Sequence, residues 1–337
     1  MKVIVFSAQP YDQGFLDEAL ALAGDSGDRA PIELIYQQAT LSAQTVVLAQ
    51  GADAICVFVN DQLDAQVLER LAALHVRAIF LRCAGFNNVD VAAATRLGFF
   101  VARVPAYSPE AVAEHTLALV MTLNRHTNRA WLRVRDGNFA LDGLLGTTLH
   151  GKTVGIVGAG RIGLATARIF HGMGCRVLGY NPTPVAELQR LGAQVTLDAL
   201  LTESDIVSLH CPLVDDTRHM INHDTLARMK RGAMLVNTSR GALVDTRAAV
   251  DALKSRHLGF LAIDVYEQEE NLFFHDRSSS IIDDDVFQLL LTFPNVLVTG
   301  HQGFFTVEAM REIAHVTLAN MQCFIGEHEC GNRLVDA

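Results

Sequence analysis

Residues 154–163 read Val154-Gly155-Ile156-Val157-Gly158-Ala159-Gly160-Arg161-Ile162-Gly163. An apolar, β-branched run enters three glycines spaced G-x-G-x-x-G, and the pattern that follows is helical. Gly158 permits a tight turn, Gly160 lets backbone approach a pyrophosphate, and Gly163 lets helix and strand pack closely. The start of the helix also offers unbonded N–H groups and the positive end of its dipole to phosphate. Three such glycines alone are a weak signal. Set in a complete strand–turn–helix–strand context they become a strong one, and they predict a dinucleotide-binding sheet around them.

Working outward, strand patterns fall at Thr153–Val157, Arg176–Tyr180, Ile206–His210, Met234–Asn237, Gly259–Asp264 and Val296–Thr299, with helical stretches between. That is the strand count of a doubly wound nucleotide domain. Upstream, strands are expected at Val3–Phe6, Ile32–Tyr36, Ala54–Val59, Ala78–Leu81 and Phe99–Val104. Helical patterns near Asp12–Ala23, Ser42–Gln50, Asp64–Leu74 and Val89–Leu97 alternate with them, as in a second parallel sheet covered by helices. Ser108-Pro109 is an N-cap followed by proline at the first helical position. Val112, Leu117, Val120 and Leu123 continue the pattern with no breaker before Asp136-Gly137, so one long helix is expected to pass between domains. After Gly300-His301-Gln302-Gly303 only one helix remains, about Val307–Phe324, which is too little for a third domain and returns to the first. The polar, acidic Asn271–Asp285 reads as a surface loop.

The expectation is an α/β fold of two doubly wound parallel-sheet domains. A discontinuous, flavodoxin-like substrate domain spans 1–104 and 300–337. A Rossmann dinucleotide-binding domain spans 105–299, and ligands are expected in the cleft between the two.

Composition agrees with this reading. The chain has 337 residues, half of them hydrophobic, enough for two cores. Its net charge of −10 argues against nucleic acid as the main partner. No apolar run is long enough for a membrane span, and the short run after Met1 reads as a strand rather than a signal peptide. The six cysteines form no C-x-x-C pair and no zinc spacing, so no metal is expected and a reducing cytoplasm fits.

The residue expected to meet the adenosine 2′-hydroxyl lies at the end of the strand after the glycines. Asn181 stands there in place of the usual acid. It can still hydrogen-bond a hydroxyl, and no arginine follows within Pro182–Glu187 to attract a 2′-phosphate. NAD is therefore favoured over NADP.

Three further stretches follow successive strands: Asn237-Thr238-Ser239-Arg240-Gly241, Asp264-Val265-Tyr266-Glu267-Gln268-Glu269 and Thr299-Gly300-His301-Gln302. Together with the glycine motif they resemble the D-isomer-specific 2-hydroxyacid dehydrogenases over nearly the whole chain. Val104-Pro105-Ala106-Tyr107-Ser108-Pro109, the run Glu270-Asn271-Leu272-Phe273-Phe274-His275-Asp276 and the pair Phe304-Phe305 make the chain most similar to the fermentative D-lactate dehydrogenases of that family. The resemblance implies Arg240, Glu269 and His301 as catalytic residues, and each makes chemical sense. A 2-keto acid needs a fixed cation for its carboxylate, and arginine offers a planar fork. Hydride arriving at the carbonyl carbon leaves an alkoxide that a histidine can protonate near neutral pH. A carboxylate on that histidine favours the imidazolium and fixes the ring. Glu267 and Glu270 are near rivals for the last role, and the spacing from Asp264 favours Glu269.

The resemblance further implies Arg161, Ile162, Cys211, Pro212, Thr217, Thr238 and Asp264 as cofactor contacts. Backbone N–H groups at Gly85 and Phe86, in the loop from Arg82 to Asn87, are the expected partners of the substrate carboxylate, with Tyr107 as a side-chain contact. Pyruvate and D-lactate are the expected pair. Bulkier keto acids such as 2-ketoisocaproate or phenylpyruvate are the nearest alternative, and a non-catalytic NAD-sensing protein is the alternative of another class. A formate dehydrogenase-like reading fails because formate oxidation needs no histidine–carboxylate pair. Gly303 departs from the alanine often found in the subgroup, which enlarges the pocket or loosens the turn. A homo-oligomer, dimer or tetramer, is expected, with the apolar Ser108–Asn124 helix as its interface.

Overall fold

Short aliphatic runs form every long strand, and the residues between them form the covering helices. The computed structural model describes residues 1–24, 31–269 and 272–334. They divide into two compact units, Met1–Ser108 with Phe305–Ala337, and Pro109–Phe304.

In the first unit the elements are β1 (Lys2–Val5), α1 (Pro10–Gly24), β2 (Glu33–Tyr36), β3 (Ala54–Val57), α2 (Ala65–Ala73), β4 (Ala78–Leu81), α3 (Val91–Arg96) and β5 (Phe100–Arg103). The strands lie in the order β2-β1-β3-β4-β5, all parallel. That is the flavodoxin-like order, whose ligand crevice lies at the carboxyl ends of the strands. β3 and β4 are buried along their whole length, as parallel strands covered on both faces must be.

The helix expected over Ser42–Gln50 is only a 3-10 turn, Val46–Ala49. Local hydroxyls take the backbone groups a helix needs: Ser42 N–H donates to Thr45 Oγ1 at 2.8 Å, and Thr45 Oγ1 donates to Thr40 O at 2.6 Å.

The second unit begins with α4 (Pro109–Arg125) and α5 (Thr127–Arg135). They replace the single long helix that the apolar periodicity predicts. His126 takes a left-handed conformation, φ 52°, and breaks it. Asn124 is tied sideways there, accepting from Thr147 N at 3.1 Å and donating to Thr147 O at 2.8 Å. Gly146 passes so close that a Cβ would sit 2.2 Å from the Asn124 carbonyl. Leu119, Val120 and Leu123 are buried in the core of their own unit. Part of the apolar face of α4 is therefore used within the second unit. Exposed apolar side chains lie further on, with Trp131 59%, Leu141 82% and Leu145 92% accessible.

The remaining elements are β6 (Thr153–Val157), α6 (Arg161–Gly172), β7 (Arg176–Tyr180), α7 (Ala186–Leu191), β8 (Ala193–Gln194), α8 (Leu197–Glu203), β9 (Ile206–Leu209), α9 (His223–Arg228), β10 (Met234–Asn237), α10 (Thr246–Lys254), β11 (Phe260–Ile263), α11 (Asp285–Thr292) and β12 (Val296–Val298). Their order is β12-β11-β10-β9-β6-β7-β8, all parallel. β8 is the strand the sequence does not announce, because two residues after a glycine carry no alternation. In the expected 271–285 loop, Phe273 is buried against Phe287, ring centroids 6.0 Å apart. Glu270 and Asn271 lie outside the described residues.

The last helix, α12 (Val307–Ile325), belongs to the first unit. Ala314, Leu318 and Met321 pack with Val3, Val5, Ala54, Cys56, Ala78, Phe80 and Ala102 from the strands. Beyond it the chain pairs with β5: Arg103 N–H donates to Asn332 O at 3.1 Å and Leu334 N–H to Val101 O at 2.8 Å. The expected domain boundaries, 104/105 and 299/300, move to 108/109 and 304/305. The turn around His301 stays with the second unit because Asp264 binds it there.

Candidate active site

The second unit's strands are all parallel, so their carboxyl ends meet at one edge of the sheet. Each candidate residue of this unit lies at or after such an end, and several local ties fix the loops that carry them.

The glycine turn joins β6 to α6. Gly158, at φ 94°, lies against the chain after β9, where a Cβ would stand 2.6 Å from Cys211 N. At Gly163 a Cβ would stand 1.9 Å from Gly158 O, so the helix packs on its own turn. Gly160 is different: a Cβ there meets nothing within 4 Å. This opening stands before the first turn of α6, where Arg161 and Ile162 begin the helix, and it fits a diphosphate approaching backbone N–H groups.

Asn181 Oδ1 accepts from Ala159 N at 3.1 Å, and its Nδ2 donates to Thr183 O at 3.0 Å. The side chain braces the glycine turn from the end of β7. Cys211 is buried, which pushes its thiol up to about 11, so it is a wall residue and not a nucleophile. Thr217 Oγ1 donates to Pro212 O at 2.7 Å and closes that loop. Thr238 is nearly buried, its hydroxyl 3.0 Å from that of Thr116.

After β10 the chain carries Arg240. Its carbonyl accepts from Asn237 Nδ2 at 2.8 Å, and its Nη1 donates to Ser239 O at 2.7 Å. It forms no ion pair among the described residues, so its charge stays available. Gly241 lies against the backbone after β11, where a Cβ would stand 2.1 Å from the Tyr266 carbonyl carbon. Only glycine lets the arginine loop seat on the turn that carries Glu269.

That turn carries Glu269 and one of its two rivals, Glu267, and sends their carboxylates in different directions. Glu269 Oε2 accepts from Tyr266 N at 2.9 Å, and Oε1 lies 2.8 Å from His301 Nδ1. Glu267 faces elsewhere, 2.5 Å from His219 Nε2 and 3.2 Å from Thr246 Oγ1. It ties the loop after β9 and the start of α10 to the turn.

His301 sits at φ 55°, which is uncommon for a residue with a side chain. Asp264 holds it there. The Asp264 carbonyl accepts from His301 N at 2.7 Å. Its carboxylate accepts from Thr299 Oγ1 at 2.5 Å, Gln302 N at 2.9 Å and Gly303 N at 2.8 Å. His115 Nε2, on α4, lies 3.2 Å from the same carboxylate and 3.1 Å from Thr299 Oγ1. Burial pushes the Asp264 carboxyl up, but the hydrogen bonds from His115, Thr299 and Gln302 outweigh it and hold the group below its ordinary value. Sequence reading placed Asp264 on the cofactor side and missed this positioning duty, and it missed His115 altogether. His115 lies inside a helix whose apolar pattern hides it, and no motif marks it. Gly303 is explained here too: a Cβ would stand 3.0 Å from Asp264 Oδ2 and 3.3 Å from His115 Cδ2.

With Nδ1 on Glu269, His301 keeps Nε2 free of any hydrogen bond among the described residues, and Phe274 stands beside the ring at 5.6 Å. The arrangement can hold an anion at Arg240 and exchange a proton at Nε2.

Gly85, Phe86 and Tyr107 belong to the first unit. Their loop follows β4 and is well anchored there. Arg103 Nη1 donates to Ala84 O at 2.6 Å, and its guanidinium covers Phe86 at 5.1 Å. Arg82, at the base, is buried and paired with Asp12 at 3.3 Å. The N–H groups of Gly85 and Phe86 make no hydrogen bond among the described residues, as an anion-binding loop requires. Tyr107 is half-buried beside Ser108.

Residues 117–303 match the family model of the D-isomer specific 2-hydroxyacid dehydrogenase, NAD binding domain. The chain is 58% identical over 335 residues to 2-hydroxyacid dehydrogenase A of Aspergillus oryzae, covering 99% of this chain and 95% of that protein. It is 56% identical, with the same coverage, to D-lactate dehydrogenase kk1H of Curvularia clavata. Among solved structures, the apo form of D-lactate dehydrogenase from Escherichia coli superposes with a TM-score of 0.89 at 46% identity, over 99% of this chain and all of that one.

Proposed function

This chain belongs to the D-isomer-specific 2-hydroxyacid dehydrogenases, NAD-dependent oxidoreductases, and from that premise we propose that it is a D-lactate dehydrogenase reducing pyruvate reversibly to D-lactate. The observation that carries the chemistry is the His301–Glu269 pair, with Nδ1 engaged at 2.8 Å and Nε2 left free. The relatives named D-lactate dehydrogenase support the choice of substrate.

Bound NADH supplies the hydride that adds to the keto carbon. The chain's own residues do the rest. Arg240 pairs with the carboxylate through its planar fork, and in the first unit Gly85 and Phe86 carry N–H groups, unbonded among the described residues, that suit an anion. His301 gives its Nε2 proton to the carbonyl oxygen as negative charge develops there. Glu269 stabilises the imidazolium before transfer and fixes the ring by accepting from Nδ1–H. In the reverse direction neutral His301 takes the hydroxyl proton. Gly158, Gly160 and Gly163, with the start of α6, would hold the cofactor's diphosphate, and Asn181 would meet the adenosine ribose.

The protein acts as a homo-oligomer, and its interface is formed by α5 and the apolar residues after it, which include Trp131, Leu141 and Leu145. No described helix is long and apolar enough to cross a membrane. Six free cysteines fit the reducing cytoplasm.

The test is NADH oxidation with pyruvate, 2-ketobutyrate, 2-ketoisocaproate and phenylpyruvate at equal concentration, then the reverse reaction with D- and L-lactate. Preference for pyruvate, with only D-lactate active in reverse, is the expected result. Preference for a bulky keto acid keeps the mechanism and changes the substrate. Tight NADH binding without turnover overturns the enzymatic reading.

A further inference from the structure

In the first unit, where α12 and the tail meet β5, a cavity of about 660 Å³ is lined by Arg77, Phe100, Cys323, Phe324 and Arg333 among others. Its two guanidinium groups lie over aromatic rings, Arg77 at 5.7 Å from Phe324 and Arg333 at 5.1 Å from Phe100. Neither guanidinium has an ion-pair or hydrogen-bond partner among the described residues, and Arg333 Nε is buried without an acceptor there. Of the acids at the cavity, Asp53 accepts the Lys2 N–H at 2.8 Å, and Glu327 lies on the exposed rim. With the Met1 ammonium, three cations face the carboxylates of Asp53 and Glu327 at this cavity, so its lining keeps a net positive charge.

Cys323 lies on the last turn of α12 and Cys330 follows the turn beyond it. His328 N–H donates back to Cys323 O at 3.0 Å, which folds the intervening residues and returns Cys330 to the end of α12, beside Cys323. Both are part-exposed, whereas Cys56, Cys83, Cys175 and Cys211 are buried. Cys330 Sγ also lies 3.5 Å from Asn320 Oδ1.

We propose that Cys323 and Cys330 form a modification site that takes anionic low-molecular-weight disulfides: the arginines receive the negative groups and the thiol pair is oxidised to an intramolecular disulfide. In the first step the Cys323 thiolate attacks one sulfur of the incoming disulfide, forming a mixed disulfide and expelling one thiolate. In the second, the Cys330 thiolate attacks Cys323 Sγ and expels the other. The protein gives up two electrons and two protons, and the small disulfide leaves as two thiols. Burial and the neighbouring Cys330 raise the Cys323 pKa, so the first step quickens as the solution becomes more alkaline. The new bond closes a short loop immediately before the tail that pairs with β5.

The experiment uses the full chain, incubated with oxidised glutathione, which is anionic, or with cystamine, which is dicationic, at equal concentration. Samples are quenched by alkylation and analysed by peptide mass spectrometry. Expected are a Cys323–Cys330 cross-link formed several-fold faster with glutathione disulfide, and arrest at a glutathione adduct on Cys323 in Cys330→Ser. Arg77→Gln combined with Arg333→Gln should erase the preference between the two reagents. A cross-link absent with both reagents overturns the thiol chemistry. Cystamine reacting as fast as glutathione disulfide overturns recognition by the arginines.

Discussion

Asp264→Asn tests how the second unit holds its histidine. The asparagine oxygen can keep the bonds from Thr299 and Gln302. Its amide nitrogen then faces Gly303 N–H, which the carboxylate now binds at 2.8 Å, so donor meets donor. Leaving that buried N–H unsatisfied costs about 1–3 kcal/mol, and the surviving bonds fall from charge-assisted to neutral strength, roughly 1 kcal/mol less each. Burying a neutral amide in place of an anion offsets part of this. A net loss of about 2–3 kcal/mol in holding His301 remains, and at about 1.4 kcal/mol per decade it lowers kcat/KM roughly thirty- to a hundredfold. The assay is pyruvate reduction under subsaturating keto acid, with NADH binding by fluorescence and the thermal midpoint as controls. The variant should melt lower and turn over more slowly while retaining cofactor affinity within a few-fold. Retention of kcat/KM within twofold would refute the reasoning, whatever happens to stability. The sign with pH is fixed as well. Asp264 is depressed in the fold, so its stabilisation is present above the unfolded pKa and fades as pH falls through the folded value. Wild type should lose its stability advantage over Asp264→Asn under those acid conditions.

Three other outcomes follow from the same geometry. Because reduction consumes the His301 proton and oxidation needs the ring without it, pyruvate reduction should weaken and lactate oxidation strengthen with rising pH, and pH–rate profiles rising together in both directions would remove His301 as proton donor. Glu269→Gln should lower kcat by about tenfold or more, because the imidazolium loses its counter-charge. Glu267→Gln should leave kcat nearly intact and lower the melting midpoint by a few degrees, so equal kinetic losses in the two variants would contradict the assignment. Gly160→Ala should fold normally and raise the KM for NADH about tenfold, since its methyl enters the opening proposed for the diphosphate. Gly163→Ala should instead depress stability, its Cβ being 1.9 Å from Gly158 O, and thermal melts beside NADH titrations separate the two.

Much of this was legible before any coordinates, because the relevant signals are local. Glycine spacing, strand runs and the residues after strand ends are written in consecutive positions, so β6, β7 and β10 fall within their predicted bounds. What the sequence hides is contact between distant segments. The break at His126 depends on Thr147 and Gly146 crossing the end of α4, which no helical periodicity reveals. The same holds for Glu267, whose partner His219 lies 48 positions away, and for His115, which reaches Asp264 from another element. The failed Ser42–Gln50 helix is a competition between hydroxyls and backbone that apolar counting ignores. The β5–tail pairing joins segments more than two hundred residues apart and leaves no pattern in either.

The return of α12 to the first unit also bears on how the chain is made. A ribosome releases β1 to β5 first, yet the face built from Val3, Val5, Ala54, Cys56, Ala78, Phe80 and Ala102 includes Ala314, Leu318 and Met321 in its packing. Those three residues emerge only after positions 109–304 have left the tunnel. Until then only α1, through Leu16 and its neighbours, covers that face of the early sheet, while the inserted unit already has all its strands and can finish first. The nascent protein should therefore depend on chaperones through its first half and mature in reverse spatial order, with its first-made part the last to become native.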